Sequence, residues 1–358
     1  MWNNFAQRGT CLAMVGCLVW AFAESTFAAD TVRQIPTQTN DLIHDPFTGK
    51  IFASVPSTAA GGTGNSIKTI DPVAGTIGAA GVFVGSEPTK LVRTDNGQYL
   101  YVALDGAAAV RRYDIASATA GLQFSLGTGG FGPMYVEDME AVPNQPDSVA
   151  VSRKRLGVSP RHDGVAIYDN GVRRTTTTPD HTGSNVIEFT NSSFTLYGYN
   201  NETTDFGFRT MSVTAAGVAT TNSTGNLISG FGVNIDSDGT YIYSTTGRKI
   251  DPVSRTLLGS FASSGLVEAD GPNHRVYFLS GSTITAYNSD TFIPVGSITV
   301  NGISGSPSSL IRWGTDGLAF RTPTQVFLIN STLVPEPTML ATTAIIGAGL
   351  ALRRRRRR

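Results

Sequence analysis

The chain has 358 residues, 27 basic and 27 acidic side chains, a formal charge of zero, 40 glycines and two cysteines. That excludes a strongly basic nucleic-acid binder, an acidic disordered tail protein and a disulfide-stapled scaffold. Charged residues make up 15% of the chain and aromatics 9%, against a usual charged share of about 25%, and the abundance of Ser, Thr, Gly and Asn suits an extracellular all-β protein.

Residues 1–23 open with a polar stretch carrying Arg8, continue through an apolar run from Cys11 to Trp20, and reach Ala21-Phe22-Ala23, with small residues at the two positions that signal peptidase reads. This is the pattern of a secretory signal peptide; an alternative cut follows Ala28. The apolar run is too short for a permanent membrane span. A lipoprotein cut before Cys17 is the lesser alternative, because apolar sequence continues past that residue. Cleavage after Ala23 removes Cys11 and Cys17 together, which leaves no thiol for disulfides, catalysis or metal ligation.

From residue 31 onward the hydrophobic pattern has period two in short runs bounded by Gly, Asn, Asp and Pro, with no convincing amphipathic helix. Thr31-Val32-Arg33-Gln34-Ile35 reads as a lone strand. The clearest unit follows Glu87-Pro88: a strand at Lys90-Leu91-Val92-Arg93, a hairpin turn at Asp95-Asn96-Gly97, a second strand at Tyr99-Leu100-Tyr101-Val102-Ala103, a turn at Asp105-Gly106, and a third strand ending at Tyr113-Asp114. Asn-Gly and Asp-Gly supply the positive φ that tight hairpins require. The third-strand ending recurs at Ile70-Asp71-Pro72, Tyr168-Asp169, Met211-Ser212, Ile250-Asp251-Pro252, Tyr287-Asn288 and Ile329-Asn330. The mean spacing is about 43 residues, the signature of a β-propeller, and seven endings predict seven blades over residues 31–332. The unit at 87–103 resembles the YVTN-type surface-layer propeller repeat, with Tyr101-Val102-Ala103 at the position of that family's namesake residues, and Asp236-Ser237-Asp238-Gly239-Thr240-Tyr241-Ile242-Tyr243 repeats its turn and strand. The Trp-Asp dipeptide of WD40 repeats is absent.

The last unit supplies only three strands, at 309–313, 317–321 and 325–329. The lone strand at 31–35 is the natural fourth, so the termini are expected to share one blade and remove an exposed edge.

Chemistry is sparse along this repeat. The four histidines, His44, His162, His181 and His274, form no ligand pair and accompany no nucleophile elbow, so turn or surface positions are expected. Asp236-Ser237-Asp238-Gly239 lacks the later ligands of a calcium loop and reads as a hairpin turn. Arg153, Lys154, Arg155 and Arg161 fall in what reads as an enlarged loop of the third blade, the candidate surface for an anionic polysaccharide or a lipid headgroup. Thr175 to Thr178 are candidate positions for O-linked sugar. Glu137, Asp138 and Glu140 belong near the third blade's approach to a central channel, but no matching carboxylates can be aligned from other blades. No catalytic residue, metal ligand set or cofactor is expected.

The chain closes with Val334, Pro335, Glu336 and Pro337, fifteen apolar or small residues at 338–352, and the arginines Arg353, Arg354, Arg355, Arg356, Arg357 and Arg358. As a helix the apolar run covers about 22 Å, short of the roughly 30 Å hydrocarbon core, so it spans with thinning or snorkelling. The arginines hold the tail on the cytoplasmic side. The three parts in this order resemble the PEP-CTERM sorting signal of Gram-negative bacteria. That resemblance implies processing near Pro-Glu-Pro by an exosortase and delivery to the envelope surface or exopolysaccharide matrix. Residues 1–23 and 335–358 carry the excess of positive charge, while 24–334 hold 20 basic and 26 acidic groups. The expectation is an exported, non-enzymatic binding or structural propeller, with polysaccharide or envelope proteins as partners and no nucleic acid. The alternatives are a propeller hydrolase or lactonase and a membrane-held protein–protein adaptor.

Overall fold

Short alternating runs cut by tight turns pair with their nearest neighbours. In the computed structural model, which describes residues 30–335, the outcome is seven antiparallel sheets arranged as a β-propeller, with a two-stranded ribbon, Thr128–Gly129 and Gly132–Pro133, between the second and third. Ala21, Ala23, Glu336, Pro337, the apolar helix expected at 338–352 and Arg353 to Arg358 lie outside the described residues. Blades 1 to 6 occupy residues 41–83, 88–125, 135–173, 186–224, 235–260 and 266–299; blade 7 takes 308–330 together with Thr31–Pro36. Six blades have four strands, and the first gains a short fifth one. The innermost strands are Asp41–Asp45, Pro88–Arg93, Tyr135–Ala141, Val186–Phe189, Ile235–Ser237, Leu266–Asp270 and Ser308–Trp313. Each contacts the next, and the seventh contacts the first. The only helical pieces among the described residues are two 3₁₀ turns, Ala60–Gly62 and Gly271–Asn273, and no described helix is long and apolar enough to cross a membrane.

The seven endings all fall on third strands; only the degenerate Met211-Ser212 misses its strand end, which lies at Thr214. Their recurrence has a local cause. The terminal Asp or Asn accepts N–H groups of the turn that follows: Val73 and Ala74 donate to Asp71 Oδ1, Ser117 to Asp114, Val253 and Ser254 to Asp251, Asp290 and Thr291 to Asn288. The bulky residue of the second strand has a packing cause. Phe52, Tyr101, Tyr197, Tyr243 and Tyr277 are 0–3% exposed and wedge blades 1, 2, 4, 5 and 6 against the blade that follows each.

The ring closes as the repeat arithmetic requires. Thr31–Pro36 pairs antiparallel with Gln325–Asn330, in register from Thr31 with Asn330 to Pro36 with Gln325, and Ile35 joins Leu42, Ile51, Trp313, Val326 and Leu328 in the apolar seam between blades 7 and 1. Four antiparallel strands return the chain to its starting face. The turns between first and second strands and between third and fourth strands therefore share one face, here called lower; the other connections share the upper face. Both ends of the described chain emerge on the lower face, where Thr332 N–H donates to Asp30 Oδ1 at 3.1 Å. Val334 is 2% exposed and belongs to the apolar cluster between blades 6 and 7 that includes Tyr277, Leu279 and Phe327.

Candidate functional site

An innermost strand has no partner on its axial edge, so its inward N–H groups need other acceptors. Acidic side chains of the preceding blade supply them. Leu91 N–H donates to Asp41 Oδ2 at 2.9 Å, Ile187 N–H to Asp138 Oδ2 at 2.9 Å, Ala269 N–H to Asp236 Oδ2 at 2.6 Å and Arg312 N–H to Glu268 Oε1 at 2.8 Å. The Ser309 hydroxyl completes the circuit by donating to Asp41 Oδ1 at 2.6 Å. Asp41, Leu91, Asp138, Asp236, Glu268 and Ser309 line an axial channel of about 500 Å³ to which all seven blades contribute.

Glu140, Glu188, Asp236 and Glu268, from four consecutive blades, line the same channel. Burial, reinforced by the neighbouring carboxylates, raises the protonation range of Glu140 and Glu188 well above the ordinary carboxylate value, and Glu268 moves the same way. Asp236 is pushed up to about 7, because burial outweighs the N–H groups of Ala269 and Ser237. Opposite them, Lys90 forms an ion pair with Asp138. Burial works against its charge, but Asp138, Asp41 and Glu140 overcome that and hold the ammonium firmly protonated. The Lys90 side chain keeps 41% of its surface accessible, so the channel is wide enough to be wet. The arrangement offers hydrogen-bond acceptors and readily protonated carboxyl groups from blades 3 to 6 and a cation from blade 2. Among the described residues no three His, Cys, Asp or Glu side chains are grouped to hold a metal ion.

Glu137, Asp138 and Glu140 thus lie where the sequence places them, on blade 3's innermost strand. Asp41, Lys90, Glu188, Asp236 and Glu268 escaped sequence reasoning. A signal existed: Asp138-Met139-Glu140, Val186-Ile187-Glu188 and Leu266-Val267-Glu268 each place a glutamate just after the apolar residue of an innermost strand.

The basic cluster is arranged differently from the expected open loop. The second strand of blade 3 runs through Ser148–Lys154 and the third begins at His162, so the loop is only 155–161. Arg153 is 3% exposed, its Nε directed to Gly164 O at 3.3 Å. Arg155 pairs with Asp163 and Asp180 and lies over the Phe131 ring. Arg161 makes a bidentate bond to Glu137 at 2.7–3.0 Å, which joins loop to channel mouth. Lys154 lines the channel and, among the described residues, has no carboxylate within salt-bridge distance. Two of the four, Arg155 and Arg161, are neutralised by acidic neighbours, and Gly164 at φ 77° sits at a bulge through which the two strands continue. Thr178 is likewise buried, with its hydroxyl accepting Val165 N–H. His181 and His274 are exposed as expected. His162 is not: it is 1% exposed, and burial together with Arg209 and Arg153 lowers its pKa to about 3. His44 lies on an innermost strand, and burial lowers it to about 4.

No family model matches the chain, and no curated protein matches it. Many solved structures share its architecture. One is the β-propeller domain of Cps50 (Swd1) from Myceliophteria thermophila, with a TM-score of 0.63 over 83% of this chain and 99% of that one. The chain is a β-propeller. At 14% identity the likeness is one of fold, and what this propeller does has to be argued from its own residues.

Proposed function

We propose that the chain is an exported propeller, sorted by an exosortase through a PEP-CTERM-type tail, that serves as a non-enzymatic binding or structural component of a Gram-negative cell envelope or its exopolysaccharide matrix. The observation that carries this reading is the order of parts that follows the last propeller strand. Val334 is sealed into the seam between blades 6 and 7, and the next residues are Pro335-Glu336-Pro337, the apolar run and six arginines. A cut beyond Pro335 leaves every described strand and Val334 in place. The likeness of residues 87–103 to YVTN-type repeats fits a rigid surface-layer scaffold, whose loops vary while its blades do not.

The test is mass spectrometry of protein recovered from a producing strain and from the same strain lacking its exosortase. The expected result is a mature N-terminus after Ala23 or Ala28 and a C-terminus near Pro335 to Pro337, with the intact tail accumulating in the deletion strain. Protein ending at Arg358 in both strains would overturn the sorting reading.

A further inference from the structure

The lower face, from which both ends of the described chain emerge, carries Phe47, Val73, Val172, Phe194, Val253 and Ile293 at or beside its turns, each between 62% and 76% exposed. They belong to blades 1, 3, 4, 5 and 6, so they are spread around the ring. At Asp71-Pro72-Val73 and Asp251-Pro252-Val253 the aspartate accepts N–H groups at 2.9–3.2 Å. The turn is thus built by the aspartate and backbone N–H groups, the valine's among them, and the valine side chain takes no part in it. Scattered exposed apolar side chains are ordinary on any surface. The upper side has Phe83, Phe131, Leu156 and Phe231; Phe131 lies beneath Arg155, as Phe47 of the lower face lies beneath Arg93, and Phe231 packs edge-on against Phe206 at 4.9 Å. What sets the lower face apart is how short the chain is between it and the apolar run.

Val334 is fixed in the core of the blade 6 and 7 seam, and the apolar run starts at Thr338. Fully extended, the intervening chain reaches at most about 14 Å. Hydrocarbon and headgroup layers together are about 40–45 Å thick against a core of about 30 Å, so each headgroup layer alone takes up roughly half of that reach. A propeller tethered this tightly cannot stand clear of the bilayer.

We propose that, while residues 338–352 are in the membrane, the lower face docks on the lipid surface with Phe47, Val73, Phe194, Val253 and Ile293 seated in the interfacial zone and the upper mouth of the channel turned away from it. This rests on the membrane-inserting reading of the tail given above. The lower-face turns carry Asp71, Asp114 and Asp251 together with Lys50, Arg173 and Arg255, a mixed charge that suits a zwitterionic surface.

The test uses the full chain with Cys11→Ser and Cys17→Ser, reconstituted in phosphatidylcholine vesicles, with one nitroxide-labelled cysteine at a time. Val253→Cys, Phe194→Cys and Val73→Cys report the lower face, Leu156→Cys the upper face and Ile345→Cys the tail, read by power saturation with oxygen and a water-soluble nickel complex. The expected result is a tail label in an oxygen-rich, nickel-free environment, lower-face labels several-fold less accessible to nickel than Leu156→Cys, and Leu156→Cys fully water-exposed. Lower-face labels as accessible as Leu156→Cys, beside a buried tail label, would overturn the docking and leave the tail reading standing. A water-exposed tail label would overturn both.

Discussion

At the seam between blades 7 and 1, Ile35, Leu42, Ile51, Trp313, Val326 and Leu328 meet as an apolar wedge. The seam between blades 3 and 4 has an apolar middle of Val165, Ile167, Ile187, Leu196 and Met211. Its upper end, however, is built from His162, Arg153, Arg209 and Asn185, all buried. His162 Nδ1 and Nε2, Asn185 Oδ1, Asp163 Oδ2 and Asn201 Oδ1 have no hydrogen-bond partner in the structure. Apolar burial is non-directional and tolerates small errors of fit, whereas buried polar groups must each be matched or they cost free energy. The first seam holds the ring shut; the second fixes one arrangement of the loops above the channel and is the more easily upset.

The largest effect should come from the apolar seam. Deleting residues 30–36 exposes the edge of Gln325–Asn330 and uncovers the wedge around Ile35. Losing several kcal/mol in a chain of this size lowers Tm by on the order of 10 °C or more. Calorimetry that finds an unchanged transition would refute closure through this strand. At the axial end of the polar seam, Asp138→Ala strips Lys90 of its ion-pair partner and Ile187 N–H of its acceptor at once. Breaking a buried pair from one side costs about 3–5 kcal/mol, reduced here because Lys90 remains 41% accessible. Asp138→Asn, which keeps an acceptor for Ile187, should recover part of the loss in urea unfolding. Equal losses in the two variants would show that the inter-blade bond contributes nothing.

A smaller change tests the fit above the channel. A Cβ on Gly183 would lie 2.0 Å from His162 Nε2, so Gly183→Ala must displace a buried ring and should cost about 1–3 kcal/mol. Combining it with His162→Ser should give a loss smaller than the sum of the two, the mark of direct contact. Strict additivity would place the collision elsewhere.

The contrast between the seams also explains what could be read from the chain. Turn chemistry is local: Asp71, Asp114, Asp251 and Asn288 announce the ends of third strands because each bonds to its own turn. The period, the blade count and the unpaired strand at 31–35 were therefore legible. The channel is not local. Whether Glu188, Asp236 or Glu268 faces the axis depends on the register of blades about 43 residues apart, and period-two alternation does not say which face is which. Arg153 and His162 were misplaced because one positive-φ glycine, Gly164, lets the strands run on where polar sequence suggests a loop. The same alternation hid Lys90, which reads as an ordinary exposed strand residue until Asp138 is brought opposite it.

Acid separates the two kinds of polar site, because their titrations run in opposite directions. His162 is held neutral in the fold to a pKa of about 3, below the ordinary 6.5. The unfolded chain takes up that proton first, so the contribution of His162 to stability is full above pH 6.5 and is lost as pH falls towards 3. The slope in this window approaches about 1.4 kcal/mol per pH unit. His44, lowered to about 4, acts in the same sense. The channel acids oppose them: the folded protein keeps protons on Glu140, Glu188 and Asp236 that the unfolded chain releases. Their contribution is full below the ordinary carboxylate range and is lost as pH rises, for Asp236 through about 7. His162→Gln should therefore flatten the fall of Tm between pH 6.5 and pH 4, whereas Glu140→Gln should flatten its decline on the neutral side by removing one charge from the channel. Parallel curves for wild type and His162→Gln would mean that the buried ring is not what acid attacks. A Glu140→Gln curve that parallels wild type would mean that the carboxylates of blades 3 to 6 do not share one electrostatic environment.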